Sequence, residues 1–288
     1  MEISTVSTPG MTTGGIKILW SEHRNDVYQH ALSLSQTMSG IEIISRIKST
    51  ASGADDIQIA GIPNPKVYAY QDLDDITKEQ PVGHSIMIDF SDQSVFDQVL
   101  DLAVRTHVPL MSGTIGLSWE QQRALHRAAK EIPIFYDVNC YFRIKQFTDR
   151  AVERIKTQPK SSHTLIEHYY DNDVDFANGL ALSITDKILQ ETNKNLGSLV
   201  RYNLVGMNAG ACELKLMPDD EILKTSELDE SEESDRVECC TQGYAELAQN
   251  VLEIVKVMAS PSLEKGKVYD LDSLWGLLPD AAKQTTST

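Results

Sequence analysis

The sequence predicts an α/β protein: a Rossmann-like parallel-sheet domain followed by an α+β domain with a mixed, mostly antiparallel sheet. From residue 16 to residue 138, short apolar runs alternate with stretches of helical periodicity, which is typical of a parallel sheet covered on both faces. After Asn139, strand-like runs follow one another at hairpin-like spacing. The 288 residues, 41% of them hydrophobic, suffice for one large domain or two modest ones.

The individual elements follow from these periodicities. In the first part we expect strands at 16–20, 41–47, 66–70, 85–90, 108–113 and 132–138, with helices at 25–38, 93–106 and 119–131. In the second part we expect helices at 142–157 and 175–193, and strands at 164–170, 199–205, 212–217, 222–226 and 236–240. An apolar helix at 243–259 and a short one at 269–278 follow, and the tail from 280 to 288 is expected to fray.

Charge and cysteine usage exclude several classes of function. The formal net charge of −16 argues against nucleic acid or an anionic membrane as a partner, since both require basic surface. The four cysteines show neither metal-ligand nor disulfide spacing, which favours free thiols in a reducing cytoplasm and no metal site. The first 15 residues resemble no signal peptide, and no apolar run is long enough to span a bilayer. We therefore expect a cytoplasmic protein.

The segment Leu165–Ala181, LIEHYYDNDVDFANGLA, carries the most informative pattern. It resembles the segment E-x-H-H-x-x-K-x-D-x-P-S-G-T-A of the 4-hydroxy-tetrahydrodipicolinate reductase (dihydrodipicolinate reductase) family of the lysine pathway. Glu167, Asp175, Gly179 and Ala181 match it. The replaced positions are the two histidines (now Tyr169 and Tyr170), the lysine (Asp173), and the proline, serine and threonine of P-S-G-T (Ala177, Asn178 and Leu180).

Three further segments, in the same order and at similar intervals, extend this resemblance from about residue 16 to residue 278. The segment 88–91 is similar to the I-D-F-T/S strand end of the family, 112–117 to its G-T-T-G-F loop, and 137–141 to its A-x-N-F-S stretch. The resemblance implies that residues 1–139 and 241–288 form a nucleotide-binding-type domain. Residues 140–240 would form a substrate domain that assembles a homotetramer. A bound nucleotide would then contact Arg24, Lys48, Ser91, Gly113, Thr114 and Asn139, and a substrate would contact Arg143, Asn178 and Gly179.

The first turn departs from the family pattern. The family carries a G-x-G-G-x-M-G turn after its first strand, where backbone N–H groups approach the pyrophosphate. Here residues 19–26 contain no glycine. Arg24 offsets part of the charge of the carboxylates nearby but cannot supply the missing backbone approach. In the family pattern an acidic residue after the second strand binds the ribose, and Lys48 lies at that place here. Lys48 could bind the extra phosphate of NADPH, or it could simply be a solvent-exposed charge. We expect no cofactor, with NADPH or NADH as the ligand only if the chain remains a reductase.

The substitutions in the 165–181 segment change the chemistry of the substrate site. Tyrosine is a poorer proton donor than histidine at neutral pH, and Asp173 would repel a dicarboxylate. The residues Glu167, His168, Tyr169, Tyr170 and Asp173 are candidate acid–base groups for a cofactor-independent reaction on a neutral or cationic substrate. Alternation in a strand places His168 and Tyr170 opposite Glu167 and Tyr169, so these four cannot all line one pocket. Asp173 is equally suited to capping the helix that follows.

Three accounts of function remain open. The first is a divergent family scaffold whose NAD(P)H-dependent reduction is lost or weakened, and which keeps its interdomain cleft for a small-molecule ligand or a cofactor-independent reaction. The second is a working NADPH-dependent reductase of a cyclic imine with a rebuilt site. The third is a non-catalytic assembly protein that uses the tetramer interface. Titration with NADH and NADPH separates the second account from the other two.

Overall fold

The first sheet is parallel throughout and contains seven strands. The computed structural model describes residues 15–22, 26–48, 65–79, 85–157, 162–170, 184, 186–192, 200–204, 211–218, 235–240, 244–261 and 263–284. The strand order in this sheet is β11-β6-β5-β4-β1-β2-β3. Its strands are β1 (Ile16–Glu22), β2 (Ile41–Lys48), β3 (Lys66–Ala69), β4 (Ser85–Phe90), β5 (Leu110–Ser112), β6 (Ile134–Tyr136) and β11 (Val268–Tyr269).

Helices cover both faces of this sheet. They are α1 (Asp26–Ser35), α2 (Leu73–Glu79), α3 (Phe96–Thr106), α4 (Trp119–Ala128), α5 (Phe142–Thr157), α6 (Tyr244–Met258), α7 (Leu271–Trp275) and α8 (Asp280–Gln284), and residues 186–192 are also helical. The covered parallel sheet confirms the Rossmann-like class that the alternating pattern predicts. None of the described helices is long and apolar enough to cross a membrane.

Period-2 alternation along the strands builds two cores. Ile18 and Trp20 of β1 belong to a core under α1, α5 and α6, whereas Leu19 belongs to a core under α2, α3 and α4. On β4, Ile88 and Met87 divide in the same way. Both faces of the central strands are therefore buried. Alternate residues enter different cores, but both sets are apolar, so the sequence of such a strand shows a continuous apolar run.

The C-terminal residues complete the first sheet and one of its cores. Strand β11 pairs with β6, with Val268 opposite Ile134. Helix α6 buries an apolar face, and Val251, Leu252 and Ile254 are fully enclosed in the same core as Trp20. The first sheet therefore depends on residues more than 240 positions apart in the chain.

A second sheet of four strands has mixed pairing. Its order is β10-β9-β7-β8, where β7 pairs parallel with β8 and antiparallel with β9, and β9 pairs antiparallel with β10. The strands are β7 (Ser162–Tyr170), β8 (Val200–Leu204), β9 (Ala211–Pro218) and β10 (Asp235–Cys240). The expected strand at 222–226 and the first part of the helix expected at 175–193 lie outside the described residues. The division into two domains stays a prediction.

Short elements account for the differences from the sequence-based expectations. The tail expected to fray from residue 280 contains helix α8, whose Ala282 is buried in the core and whose Lys283 ammonium lies over the Trp275 ring. Helix α2 and strand β11 were not expected. Helix α2 buries only Leu73 and Ile76 among acidic residues, and two apolar positions are too few to show helical periodicity.

Candidate functional site at the carboxyl edge of the parallel sheet

Polar and charged side chains collect where the strands of the first sheet end. In parallel sheets all carboxyl ends meet at one edge, and ligands of this fold class bind outside that edge. Five neighbouring strands contribute buried or half-buried polar residues there, namely Glu22, Arg46, Asp89, Ser112 and Asp137.

A buried ion pair lies at the part of this edge that is formed by β1 and β2. Both Nε and Nη2 of Arg46 lie 3.0 Å from Oε1 of Glu22, and the two side chains are only 7% and 1% exposed. The indole Nε1 of Trp20 donates to Oε2 of Glu22 at 3.2 Å. The Tyr28 backbone N–H, in the first turn of α1, also donates to this carboxylate. Three elements therefore converge on one carboxyl group.

Aromatic rings enclose the pair. The Arg46 guanidinium lies 4.5 Å from the centroid of the Tyr28 ring, and the fully buried Trp20 packs between Tyr28 and Phe90. Burial raises the pKa of Glu22 above its usual range, while Arg46 and the hydrogen bonds from Trp20 and Tyr28 oppose that shift. The carboxyl group therefore sits in a dry environment where its donors decide its charge.

A second buried carboxyl, Asp89, organises the middle of the edge. Its Oδ1 accepts from the backbone N–H and the hydroxyl of Ser91, and its Oδ2 accepts from Ser112 at 3.0 Å and Thr114 at 2.7 Å. Burial raises the pKa of Asp89, whereas these hydrogen bonds lower it. Ser91 and Thr114 direct their hydroxyl groups into this internal network, and their expected contact with a nucleotide stays a prediction.

Two half-buried tyrosines flank this network. The Tyr70 hydroxyl lies 2.9 Å from the Ser21 hydroxyl, and the Tyr136 hydroxyl donates to the Thr114 carbonyl at 3.2 Å. Burial raises the pKa of each tyrosine to about 12, so both stay neutral at physiological pH. At this edge they act as hydrogen-bonding groups and not as anions.

Gly113 lies against the Phe90 ring. A Cβ at this position would stand 2.4 Å from Cε1 of Phe90. Because Gly113 has no side chain, the backbone that follows β5 can pass directly beside the Phe90 ring, which stacks on Trp20. A packing requirement accounts for this glycine, which the sequence suggested as a nucleotide contact.

Asp137 joins the end of β6 to the start of helix α7. Its Oδ1 accepts from the Asn139 N–H at 2.8 Å, and its Oδ2 accepts from the Leu271 N–H at 3.0 Å. Burial raises the pKa of Asp137 to about 6, despite both hydrogen bonds. Asn139 and Asp137 line a cavity of about 50 Å³ together with Lys145, Thr148, Ile184, Lys187, Leu271 and Asp272.

Arg143, expected to contact substrate, lies on α5 and faces α6. Its Nε is 3.8 Å from Oε2 of Glu246, and its side chain is 14% exposed. The arginine therefore makes an ion pair between two helices. Lys48, the other basic residue of interest, is the last residue of β2 and lies half-buried opposite Ala69 of β3.

The backbone of strand β7 carries four of the five candidate acid–base residues. Glu167, His168, Tyr169 and Tyr170 lie opposite Arg201, Tyr202, Asn203 and Leu204 of β8. Asp173, Asn178, Gly179 and Arg24 lie outside the described residues, so the acid–base cluster remains a prediction. Within the described ranges, no group of three His, Cys, Asp or Glu residues is arranged to hold a metal ion.

The sequence-based reasoning did not single out Glu22, Arg46 or Asp89 as partners in a network. A signal was present in strand β2, where Arg46 lies between Ser45 and Ile47 in a strand of four isoleucines, because a charge in a buried strand needs a partner. Glu22 is the nearest acidic residue at the end of the adjacent strand, on the face shared with Trp20.

Sequence comparisons match most of the segments that build this edge, although the family-model match begins after Glu22. A family model described as the N-terminus of dihydrodipicolinate reductase matches residues 28–140. The 4-hydroxy-tetrahydrodipicolinate reductase of Caldanaerobacter subterraneus subsp. tengcongensis is 30% identical over 121 residues, which cover 42% of this chain and 47% of that protein. The Rickettsia akari (strain Hartford) protein of the same name is 26% identical over 170 residues, covering 55% and 69%. The chain thus spans about half of the first relative.

Solved structures support the fold. A dipicolinate-bound dihydrodipicolinate reductase from Paenisporosarcina sp. TG-14 superposes with a TM-score of 0.63 at 12% identity, covering 92% of this chain and all of that one. An apo scyllo-inositol dehydrogenase from Lactobacillus casei gives a TM-score of 0.51 at 16% identity, covering 96% and 97%. At these identities the likeness concerns the fold alone. The family-model match begins at Tyr28, after β1 and the glycine-free turn.

Proposed function

We propose that the chain is a member of the dihydrodipicolinate reductase family whose NAD(P)H-dependent reduction is lost or much weakened. It keeps the edge of the parallel sheet as a binding site for a small molecule, in the cleft between the two predicted domains. The ligand would lie near Ser91, Gly113, Thr114, Asn139, Tyr169 and Gly179.

The buried pair Glu22–Arg46 carries this proposal. In dinucleotide-binding sheets the pyrophosphate lies against bare backbone at the end of β1 and at the N-terminus of the next helix. Here a carboxylate uses the donors of Arg46, Trp20 and Tyr28 at that place. Although Arg46 offsets the negative charge, the Trp20 indole N–H, the Tyr28 backbone N–H and two nitrogens of Arg46 are engaged with Glu22. The residues present therefore do not fit a pyrophosphate bound in the usual way.

The charge of the edge supports a neutral or cationic ligand. Among the described residues it contributes the carboxyl groups of Glu22, Asp89 and Asp137, although burial raises the pKa of each and so reduces its charge, while Arg46 is already engaged with Glu22. Asp173 replaces the lysine of the family pattern, and the whole chain has a formal charge of −16. A dicarboxylate would meet repulsion here that grows as water is excluded.

A working reductase is the second candidate, and the names of the relatives favour it. Both matched curated proteins are 4-hydroxy-tetrahydrodipicolinate reductases, and the matched stretch includes the Asp89 network. In that case NADPH or NADH would contact the edge by a route that avoids Glu22. Lys48, at the end of β2, would then be available to the extra phosphate of NADPH.

Titration with NADPH and NADH tests the proposal. We expect no binding to the intact chain at concentrations up to about 1 mM, the upper end of typical KM values, by calorimetry or nicotinamide fluorescence. The Caldanaerobacter reductase serves as a positive control in the same buffer. Binding at micromolar concentration, with oxidation of the nicotinamide in the presence of the cyclic imine, would establish the second candidate instead.

A further inference from the structure

The Glu22 carboxylate is surrounded by hydrogen-bond donors in the way that a bound anionic ligand is. Its four donors come from three separate elements: the Trp20 indole on β1, two nitrogens of Arg46 on β2, and the Tyr28 N–H in the first turn of α1. Side-chain carboxylates on surfaces rarely collect so many donors, since water satisfies them. This set of donors was assembled around one buried anionic group.

The place of this carboxylate corresponds to the phosphate position of nucleotide-binding parallel sheets. Helix α1 has ten residues and follows β1, so its N-terminus directs N–H groups and a partial positive charge toward the strand end. An arginine at the end of the second strand is a group that suits a phosphate monoester in such folds. Glu22 occupies the position where the N-terminus of α1 and the Arg46 guanidinium would otherwise contact a ligand phosphate.

The burial and fixed orientation of the Arg46 side chain mean that it requires an anionic partner. Its side chain is 7% exposed and its guanidinium lies over the Tyr28 ring, which fixes its orientation. A buried arginine without a counter-charge is strongly destabilising, whereas one with a well-placed anion is tolerated. The partner can in principle be any oxyanion that reaches the same donors.

We propose that the Glu22 carboxylate is an internal substitute for a ligand phosphate, and that removing it turns Arg46, Trp20 and the α1 N-terminus into a phosphate-binding site. This inference rests on the proposed function, because it attributes the lost cofactor binding to one group of the chain itself. The ligand class is a phosphate monoester or inorganic phosphate. Glu22→Ala removes a methylene as well as the carboxylate, which leaves room for a tetrahedral group.

Phosphate titration of matched variants tests the inference. The intact chain, Glu22→Ala, Glu22→Gln and the double variant Glu22→Ala/Arg46→Met are titrated with inorganic phosphate at constant ionic strength, with chloride as the balancing anion. We expect Glu22→Ala to bind phosphate at least tenfold more tightly than the intact chain. Glu22→Gln should gain less, since its amide still fills the position. The double variant should lose the gain, since Arg46 supplies two of the four donors.

Thermal stability measured in phosphate buffer tests the site even if Glu22→Ala does not fold without phosphate. If Glu22→Ala folds only poorly in chloride, recovery of its circular dichroism and melting transition in phosphate, but not in the double variant, supports the site. Three results would overturn the inference: a folded Glu22→Ala with phosphate affinity equal to that of the intact chain, a poorly folded one that phosphate does not rescue, or a gain that persists without Arg46.

The inference and the proposed function can fail separately. Micromolar NADPH binding by the intact chain overturns the proposed function, whatever Glu22→Ala does. An intact chain that ignores NADPH, together with a Glu22→Ala variant that gains no phosphate binding, leaves the proposed function standing and removes the inference.

Discussion

At Gly113 the backbone passes so close to the Phe90 ring that a methyl group has no space. The ring in turn stacks on Trp20, whose indole donates to Glu22. One residue without a side chain therefore supports the geometry of the buried pair two strands away. The glycine of a family motif serves packing here, and its effect on a ligand would be indirect.

Gly113→Ala is expected to destabilise the chain. The added Cβ would lie 2.4 Å from Cε1 of Phe90, so the ring must move off its stack, and overpacking of this kind costs about 1–3 kcal/mol. The measurement is the free energy of unfolding in urea. Gly276→Ala is the matched control, because no atom lies within 4 Å of its Cβ position and φ is −67°. Equal losses in both variants would contradict the packing explanation.

Between elements, Asp137 links the end of β6 to the first turn of α7. Its two oxygens accept one backbone N–H from each side of the junction. The carboxyl is buried enough to titrate near pH 6, within the range of ordinary measurements. The attachment of the C-terminal helices to the sheet should therefore depend on pH.

The sign of that dependence follows from linkage. The pKa of Asp137 is 3.8 as an ordinary carboxyl and about 6 in the folded chain, so the folded state holds the proton more tightly. Its contribution to stability is complete below about pH 4 and is lost as pH rises through about 6. Relative to Asp137→Asn, the unfolding free energy of the unmodified chain should fall by up to about 3 kcal/mol between pH 4 and pH 7.

Chemical denaturation across that pH range provides the measurement. The variant Leu277→Ala, which changes an exposed apolar side chain and no ionisable group, is expected to differ from the unmodified chain by a constant amount. A constant difference for Asp137→Asn as well would show that this carboxyl does not titrate between pH 4 and pH 7.

For the molecule as a whole, the first sheet is completed by residues from the far end of the chain. Helix α6 covers the face of β1 and β4, and β11 forms the edge next to β6. The candidate site lies at the carboxyl edge of this same sheet. Its geometry therefore requires the C-terminal segment, although that segment contributes only Leu271 to the hydrogen bonds described at the edge.

Ile254→Ala tests this dependence. Ile254 is fully buried in the core that also contains Trp20, and truncation of a buried isoleucine costs about 2–5 kcal/mol. The change in tryptophan fluorescence, to which Trp20, Trp119 and Trp275 all contribute, should coincide with the loss of far-UV circular dichroism, because Trp20 and Ile254 belong to one core. Leu277→Ala is the control, since Leu277 is 55% exposed and its truncation should change stability by at most about 0.5 kcal/mol. Similar effects from both substitutions would argue against a shared core.

The sequence by itself determined the class of the fold and a resemblance to one family. Apolar runs at strand length, separated by helical periodicity, are local patterns, so strands such as β1 and β4 and the complete helix α5 could be located from them. The order of motif-like segments carried that resemblance, and the absence of glycine between residues 16 and 39 indicated an altered first turn.

Only the tertiary structure decided which polar residues meet. Glu22 and Arg46 are 24 residues apart, and Asp89 and Thr114 are 25 apart, so no local pattern joins them. They become partners because parallel strands bring distant chain segments to one edge, where burial penalises any charge that lacks a counterpart. That same burial makes the hydroxyl groups of Ser91 and Thr114 internal donors to the carboxyl group of Asp89.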